Sequence, residues 1–395
     1  MGGHVLRALR EIACVTDIRD AVARVRAWGE ERDWRGYDPY DALNSPVAPL
    51  LTGGTRLGRR VFTQAVKLSP VNLRPLLGIE PGWNAKALAL VASGYTRLAA
   101  AGDEGARAAA ERWLGWLEAN HSGDESGLAW GYHFPVETRF FRYERGAPNT
   151  IATSFVAHAF LDAGELLGEP RWTEAARSAA GFLATRMLAE GSSGPYFRYL
   201  PDESELVHNA NLLACAVLAR AGVEEPTRAA LGASLRAQRP DGSWPYSEGR
   251  KGGWVDNFHT AYVLESLVHC EELDGNIATA LARGLAYWRR ELFMPDGTPK
   301  YAPDRVFPID AHSYATAIDT WLAVGDVEQA ERLARLLVER MLDPGGYVWF
   351  QRRRLWTSRV PFVRWTTAPS FRALAGVLVA RRRSRTEEHV RARLD

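Results

Sequence analysis

Asp256-Asn257-Phe258-His259-Thr260, running into an apolar stretch from Leu264 to Leu273, carries the pattern from which the fold is read. A small polar cluster opens a helix that is apolar on nearly every side. Asn, Asp, Ser and Thr suit such a start because their side chains accept hydrogen bonds from the orphan N–H groups of the first turn. Working outward, the arrangement recurs along the chain. Before it come Trp83-Asn84-Ala85-Lys86 into Leu88–Leu98, Pro148-Asn149-Thr150 into Phe155–Leu166, and His208-Asn209-Ala210-Asn211 into Leu212–Ala221. After it come Asp310-Ala311-His312-Ser313 into Ala315–Val324 and Trp365-Thr366-Thr367 into Phe371–Ala380. The starts lie roughly 50 to 65 residues apart, the mark of a repeat architecture.

Between these segments lie more charged helices, Ala106–Asn120, Trp172–Ala189, Thr227–Gln238, Ile277–Leu292 and Val327–Leu342. Their apolar residues recur at three- and four-residue spacing, which gives one buried stripe and one wet face. Apolar-all-round helices alternating with amphipathic ones predict an inner and an outer layer. Each outer helix leads to a glycine turn with aromatic neighbours: Gly127-Leu128-Ala129-Trp130, Gly194-Pro195-Tyr196, Asp241-Gly242-Ser243-Trp244, Asp296-Gly297-Thr298 and Pro344-Gly345-Gly346-Tyr347. Such turns read as openings of small hairpins. The expectation is an all-α (α/α)6 toroid with short β-hairpin loops, whose inner N-termini and aromatic loops share one mouth.

In this reading residues 81–380 form the toroid. Residues 1–80 supply helices, Ile18–Asp33 and Arg60–Leu68, that complete the ring, and a lid-like loop, Gly36–Pro46. Residues 381–395 form a charged, solvated tail.

Composition narrows the function classes. The chain has 395 residues, 46% of them hydrophobic and 24% charged, which excludes a disordered or collagen-like chain. Net charge is only +2, from 49 basic and 47 acidic residues, so the overall balance gives no case for nucleic acid or an anionic membrane. No window approaches the ~18 apolar residues of a membrane span. Cys14, Cys215 and Cys270 are scattered, without a Cys-x-x-Cys, and support neither a zinc ribbon nor a disulfide framework. With no signal-like segment in Met1–Ile12, the expected location is cytoplasmic. Lysine occurs only at 67, 86, 251 and 300, the remaining cations being arginine. Fourteen tryptophans point to a site built from flat rings.

Two stretches carry a resemblance. Gln238-Arg239-Pro240-Asp241-Gly242-Ser243-Trp244 is similar to the Q-x-x-D-G-S-W repeat of terpenoid cyclases. Asp256-Asn257-Phe258-His259-Thr260-Ala261-Tyr262-Val263-Leu264 resembles the D-x-Y-H-T-x-Y-x-L segment of protein prenyltransferase β subunits. The same six-hairpin plan houses glucuronyl C5-epimerases, sugar 2-epimerases, unsaturated glucuronyl hydrolases and polysaccharide lyases. The toroidal resemblance spans roughly residues 80 to 380 and implies that Gln238 and Trp244 brace the outer helices. The chain lacks the D-x-D-D acid of squalene-type cyclases, and Cys215 and Cys270 stand outside the D-x-C context of a prenyltransferase zinc site.

Candidate site residues follow from the mouth. His259 and His312 each sit a few residues after an acid, Asp256 or Asp310, so an imidazole beside a carboxylate can serve as general base. Equally, the two acids read as helix caps. As a pair they meet the ~6.5–9.5 Å separation of an inverting glycosidase, because adjacent helices pack ~8–10 Å apart. His208, Asn209 and Asn257 are candidates for holding a sugar carboxylate. Rings and forks at Trp130, Tyr132, Arg142, Tyr246, Trp254, Arg364 and Trp365 suit an acidic glycan, with Tyr37 and Asp41 reaching from the lid. No metal site is expected; zinc held by His208, His259 and His312 is the alternative, and no cofactor is implied.

The function expected from this set is carbohydrate chemistry on a uronic-acid-containing glycan, in polysaccharide synthesis or modification. Proton abstraction at sugar C5 would make the protein an epimerase or a lyase. The alternatives are a prenyltransferase- or cyclase-like enzyme on an isoprenoid, an inverting hydrolase, and a non-catalytic glycan-binding toroid. The expected partner is a glycan or small molecule, with no nucleic acid.

Overall fold

The structure, a computed structural model, describes residues 17–394, with side chains to residue 382. Cys14 and the Met1–Ile12 segment lie outside the described residues. Six inner helices, α4 (Ala85–Ala100), α6 (Thr150–Leu167), α8 (His208–Arg220), α10 (Asn257–Val268), α12 (Ala311–Ala323) and α14 (Ala368–Leu394), pack each on the next. Helix α14 returns against α4, so the ring closes. Outside it stand α5 (Glu104–Ala119), α7 (Pro170–Phe182), α9 (Thr227–Arg236), α11 (Asn276–Glu291) and α13 (Val327–Met341). The chain is an (α/α)6 toroid.

The inner helices form as their sequences require. Nearly every side chain of α4, α6 and α10 is buried, so no wet face is left. Their first turns are capped by Asn84, Asn149 and Asp256, and that of α12 by Asp310, each side chain accepting a backbone N–H. The other two starts differ. Helix α8 begins after Val207, whose apolar side chain offers no acceptor for a cap, and Asn211, inside the first turn, bonds to Phe197 N and Ala230 O. Helix α14 is preceded by a wide turn, Val363–Thr367, in which Thr366 bonds to Phe362 O.

The glycine turns are more varied than the sequence pattern. Strands β3 (Leu188–Gly191) and β4 (Gly194–Phe197) make the one loop among them that is a full two-stranded ladder. Elsewhere an aspartate folds the turn onto itself: Asp241 accepts from Ser243 N, Asp296 from Thr298 N and Asp343 from Gly345 N. Further short pairs come from β1 (Val136–Glu137) with β2 (Arg142–Tyr143), and from β5 (Ile309–Asp310), β6 (Gln351–Arg352) and β7 (Thr357–Ser358).

Helix α1 (Ile18–Glu31) packs on α13 and α14. Its place follows the rule of the other outer helices. Gly242, at φ +97°, presses on α11 so closely that a Cβ would lie 2.4 Å from Arg283 O. Gly346, at φ +93°, presses on α1 in the same way, 2.5 Å from Arg24 O. Gln238 and Trp244 act as braces: Gln238 donates to Gly242 O and Ala280 O, and Trp244 to Ser234 O. Replacing Gly346 by Ala should cost about 2 kcal/mol or more, since both the positive φ and the approach to α1 forbid a Cβ. Urea denaturation of the variant measures this directly.

The end of the ring opposite the capped starts is filled by charge. Arg97 and Arg372 hold Asp319 at 2.8 and 3.3 Å, Arg372 holds Glu265 at 3.0 Å, and Arg220 holds Asp162 at 2.9 Å. His158 accepts from Arg220 at 2.9 Å and faces His269, ring centres 5.5 Å apart. Burial, reinforced by Arg220, holds His158 well below the usual imidazole range and pushes His269 down to about 4. In the unfolded chain these rings titrate near 6.5 and take up protons first as pH falls. Their contribution to stability is therefore complete above pH 6.5 and is lost toward the folded value. At pH 5 the His269 ring alone should cost about 2 kcal/mol relative to neutral pH, read as a lower urea midpoint.

Candidate active site

A cavity of about 520 Å³ opens at the N-terminal ends of the inner helices. Ten of the sequence candidates line it: Asp256, His259, Asp310, His312, Asn209, Tyr132, Tyr246, Trp254, Arg364 and Trp365. The geometry divides them sharply by what each side chain already holds.

His259 is the most available imidazole. Its Nδ1 lies 2.9 Å from both carboxylate oxygens of Asp256, which also caps α10 through the His259 N–H at 3.0 Å. Asp256 is buried while the His259 side chain stays 21% exposed. The carboxylate therefore fixes Nδ1 as the donor and leaves Nε2 with no protein partner among the described residues, on a ring that lines the cavity. Tyr246 and Trp254, stacked 4.5 Å apart, and Phe258 enclose the ring.

His312 has no free nitrogen. Its Nδ1 donates to Trp365 O at 2.9 Å, so Nε2 is an acceptor and takes the Tyr262 hydroxyl at 2.7 Å. The Tyr262 oxygen in turn accepts from Lys86 Nζ at 3.2 Å. Lys86 comes from α4, which stands opposite α10 in the ring, so this contact crosses the centre and closes the cavity floor. No carboxylate pairs with Lys86 among the described residues; its amine lies over the Phe155 ring at 4.0 Å. Burial, with the Arg364 charge adding to it, holds Lys86 well below the ordinary lysine range. Burial, with Lys86 adding to it, likewise keeps His312 neutral.

Asp310 is fully enclosed. It caps α12 and accepts from Gln351 at 2.6 Å and Trp365 Nε1 at 3.2 Å. Burial outweighs these donors and pushes its carboxyl up to about 6. Arg364 is committed on one edge: Nη2 donates to Asp38 Oδ1 at 2.8 Å and Nε to Asp38 Oδ2. Its guanidinium lies 4.6 Å over the Tyr132 ring. Burial alone would raise the Asp38 carboxyl, but Arg364 outweighs it and holds the group ionised below its ordinary range.

The remaining candidates are placed away from the cavity. Asn257 is fully buried, donating to Leu292 O at 2.6 Å and accepting from Trp288 Nε1 at 3.1 Å. His208 bonds to Ser234 at 3.0 Å behind the wall. Trp130 donates to Leu117 O inside the core. Asp41 is consumed by Arg74 at 2.7 Å and by the Asp38 N–H, and Tyr37 packs beside Phe362. Arg142 points to Glu137 at 3.6 Å from outside the cavity. Because His208 is absent from the lining, the three histidines do not converge as zinc ligands. Among the described residues no group of three or more His, Cys, Asp or Glu side chains is placed to hold a metal ion. Cys215 and Cys270 are buried and free.

The lining residues Lys86, Tyr262 and Glu137 were not among the sequence candidates, nor was Asp38, which holds the lining Arg364 from behind. Lys86 did carry a signal, being one of four lysines in an arginine-rich chain and part of a polar helix start. Tyr262 stood in the stretch that resembles the prenyltransferase segment, but nothing in its spacing distinguishes it from other inner-helix residues.

Solved structures match this arrangement. A sugar epimerase from a ruminal bacterium superposes with TM-score 0.57 at 14% identity, covering 77% of this chain and 90% of its own. A GH76 α-mannanase of Bacteroides thetaiotaomicron gives 0.57 at 12% identity, covering 77% and 88%. An unsaturated glucuronyl hydrolase specific for heparin gives 0.51 at 12% identity, covering 75% and 86%. The likeness to these α/α toroid enzymes is one of fold. No protein-family model matches the chain, and no curated protein matches it.

The Asp38–Arg364 pair should prove essential to the cavity wall. Asp38→Ala leaves a buried guanidinium unpaired and should cost about 3–5 kcal/mol in urea denaturation, with Asp38→Asn losing less.

Proposed function

We propose that this toroid is a carbohydrate-active enzyme that moves a proton at a sugar carbon beside a carboxylate or carbonyl. The substrate is a uronic-acid-containing glycan and the reaction is epimerisation or elimination at C5. The observation that carries this reading is the Asp256–His259 pair: an imidazole oriented by a buried carboxylate, with Nε2 free at an aromatic-walled cavity. The sugar-epimerase and glucuronyl-hydrolase neighbours support the substrate class.

In this mechanism His259 Nε2 takes the C5 proton. Tyr262 lies one turn deeper on the same wall of α10, three residues on. Its hydroxyl, held between His312 Nε2 and Lys86 Nζ, delivers a proton to the departing O4 oxygen, and the tyrosinate regains one from solvent as the His259 imidazolium releases the C5 proton. Lys67 and Arg60 at the rim, with the free Nη1 edge of Arg364, are the cations that meet the substrate carboxylate. Acid and base on one wall favour elimination on one face of the sugar over inversion at C5.

Asp310 supports a second reading. A lining carboxyl raised to about 6 suits the general acid of an inverting hydrolase, with Asp256 as base. Asp256 is already engaged by His259, which ranks this reading below the first. An isoprenoid chain would have to lie against Glu137, Asp256, Lys67 and Lys86 in the same cavity.

The test is NMR of the protein with glucuronate-containing glycans in heavy water. Loss of the C5 proton signal is expected, and new alkene signals assign elimination. New reducing ends without C5 exchange would move the hydrolase reading to first place. His259→Gln should lower turnover about 10²–10⁴-fold. Tyr262→Phe should lower it comparably while leaving substrate binding within a few-fold. Full activity in both variants would refute the assignment.

A further inference from the structure

The strongest unassigned feature is the segment over the mouth. Helices α2 (Ala48–Thr52) and α3 (Arg56–Leu68) lie in the chain between helix α1 and α4. Eight of the eleven large apolar side chains left exposed among the described residues fall between Val47 and Leu76. Leu50 is 83% exposed, Leu57 71% and Leu76 85%. Such a concentration of exposed apolar side chains in one short segment is uncommon for a surface that meets only water.

The charge of this segment is as uneven as its polarity. From Ala42 to Ile79 the chain contains no Asp or Glu, but it contains Arg56, Arg59, Arg60 and Lys67, besides Arg74, which is buried against Asp41. The near-balance of the whole chain conceals this local surplus. On α3 the two properties are separated by helical geometry. Leu57, Val61 and Leu68, at i, i+4 and i+11, form one exposed line. Arg56, Arg60 and Lys67 repeat the same spacing one residue earlier and form a basic line beside it. Thr63 and Val66 face inward and are buried. Arg60 and Lys67 line the cavity, so the basic line is also part of the mouth. Glu137 answers Arg56 and Arg60 at 3.2 and 3.5 Å from inside the rim and ties α3 to it.

The geometry points to a docking surface for an anionic lipid bilayer. The α2–α3 segment lies in the headgroup boundary, its leucine line inserted and the exposed Arg56 with Arg59 against lipid phosphates, while Arg60 and Lys67 turn to the mouth. Charge complementarity selects this occupant: a basic flank beside an apolar stripe matches an anionic interface. Docked this way, the mouth sits beside the membrane surface and receives its substrate there. The inference does not depend on which reaction the cavity performs.

Cosedimentation of the full chain with vesicles tests it. Vesicles of phosphatidylcholine and phosphatidylglycerol should carry the protein down, and pure phosphatidylcholine should bind about tenfold more weakly. Raised salt should weaken binding of the unaltered protein, a readout that needs no variant. The triple change Leu50→Glu, Leu57→Glu, Val61→Glu should reduce binding about tenfold with an unchanged far-UV circular dichroism spectrum. Absence of binding, equal binding to both vesicles, or undiminished binding by the triple variant would each overturn the proposal. A dimer that the triple change dissociates, without vesicle binding, would assign the patch to a second copy of the chain instead.

Discussion

Closing a ring of parallel inner helices forces every one of their N-termini to the same end. Each brings unpaired backbone N–H groups that must find acceptors in a buried setting. The acceptors supplied are Asn84, Asn149, Asp256 and Asp310. Polar and acidic groups therefore collect at one mouth because the helices need them there. The opposite end faces the converse demand and is filled by the arginine–carboxylate network around Arg97, Arg220 and Arg372. One end becomes a polar cavity and the other a charged plug.

The cavity reuses structural groups. Asp256 caps α10 and orients His259 with the same carboxylate. Asp310 caps α12, and its remaining lone pairs are taken by Gln351 and Trp365. The two acids look alike in sequence, yet one holds an available imidazole and the other is sealed. That difference separates His259 from His312, whose nitrogens are both used by its neighbours. His312 Nε2 instead accepts from the Tyr262 hydroxyl, and Lys86 reaches the same hydroxyl from across the ring.

Much of the fold was legible because it rests on periodicity. Helices buried on all sides and helices with one wet stripe differ plainly in sequence, and their alternation defines two layers. The glycine turns were legible too, since Gly242 and Gly346 stand where a Cβ would strike the next outer helix. The site was legible at its helix starts and in part of its aromatic loops, where Tyr132, Tyr246 and Trp254 line the cavity. Asn257, His208 and Trp130 belong to the same polar and aromatic clusters as the lining residues, but Asn257 and Trp130 are spent on Leu292 and Leu117, and His208 turns its Nδ1 to Ser234 behind the wall. A sequence records that a polar group is present and not which way its hydrogen bonds are used.

By itself the sequence determined the helical repeat, the inner and outer layers, and the end of the ring at which polar groups gather. These depend on side-chain pattern over a few turns, which is local information. Only the tertiary structure decided which of those groups face the cavity. It brought Lys86 to Tyr262 across 176 residues and Arg364 to Asp38 across 326. It also left the apolar line of α3 uncovered. Such pairings are made by closing the ring, and their energies come from burial and geometry that no short stretch of chain contains.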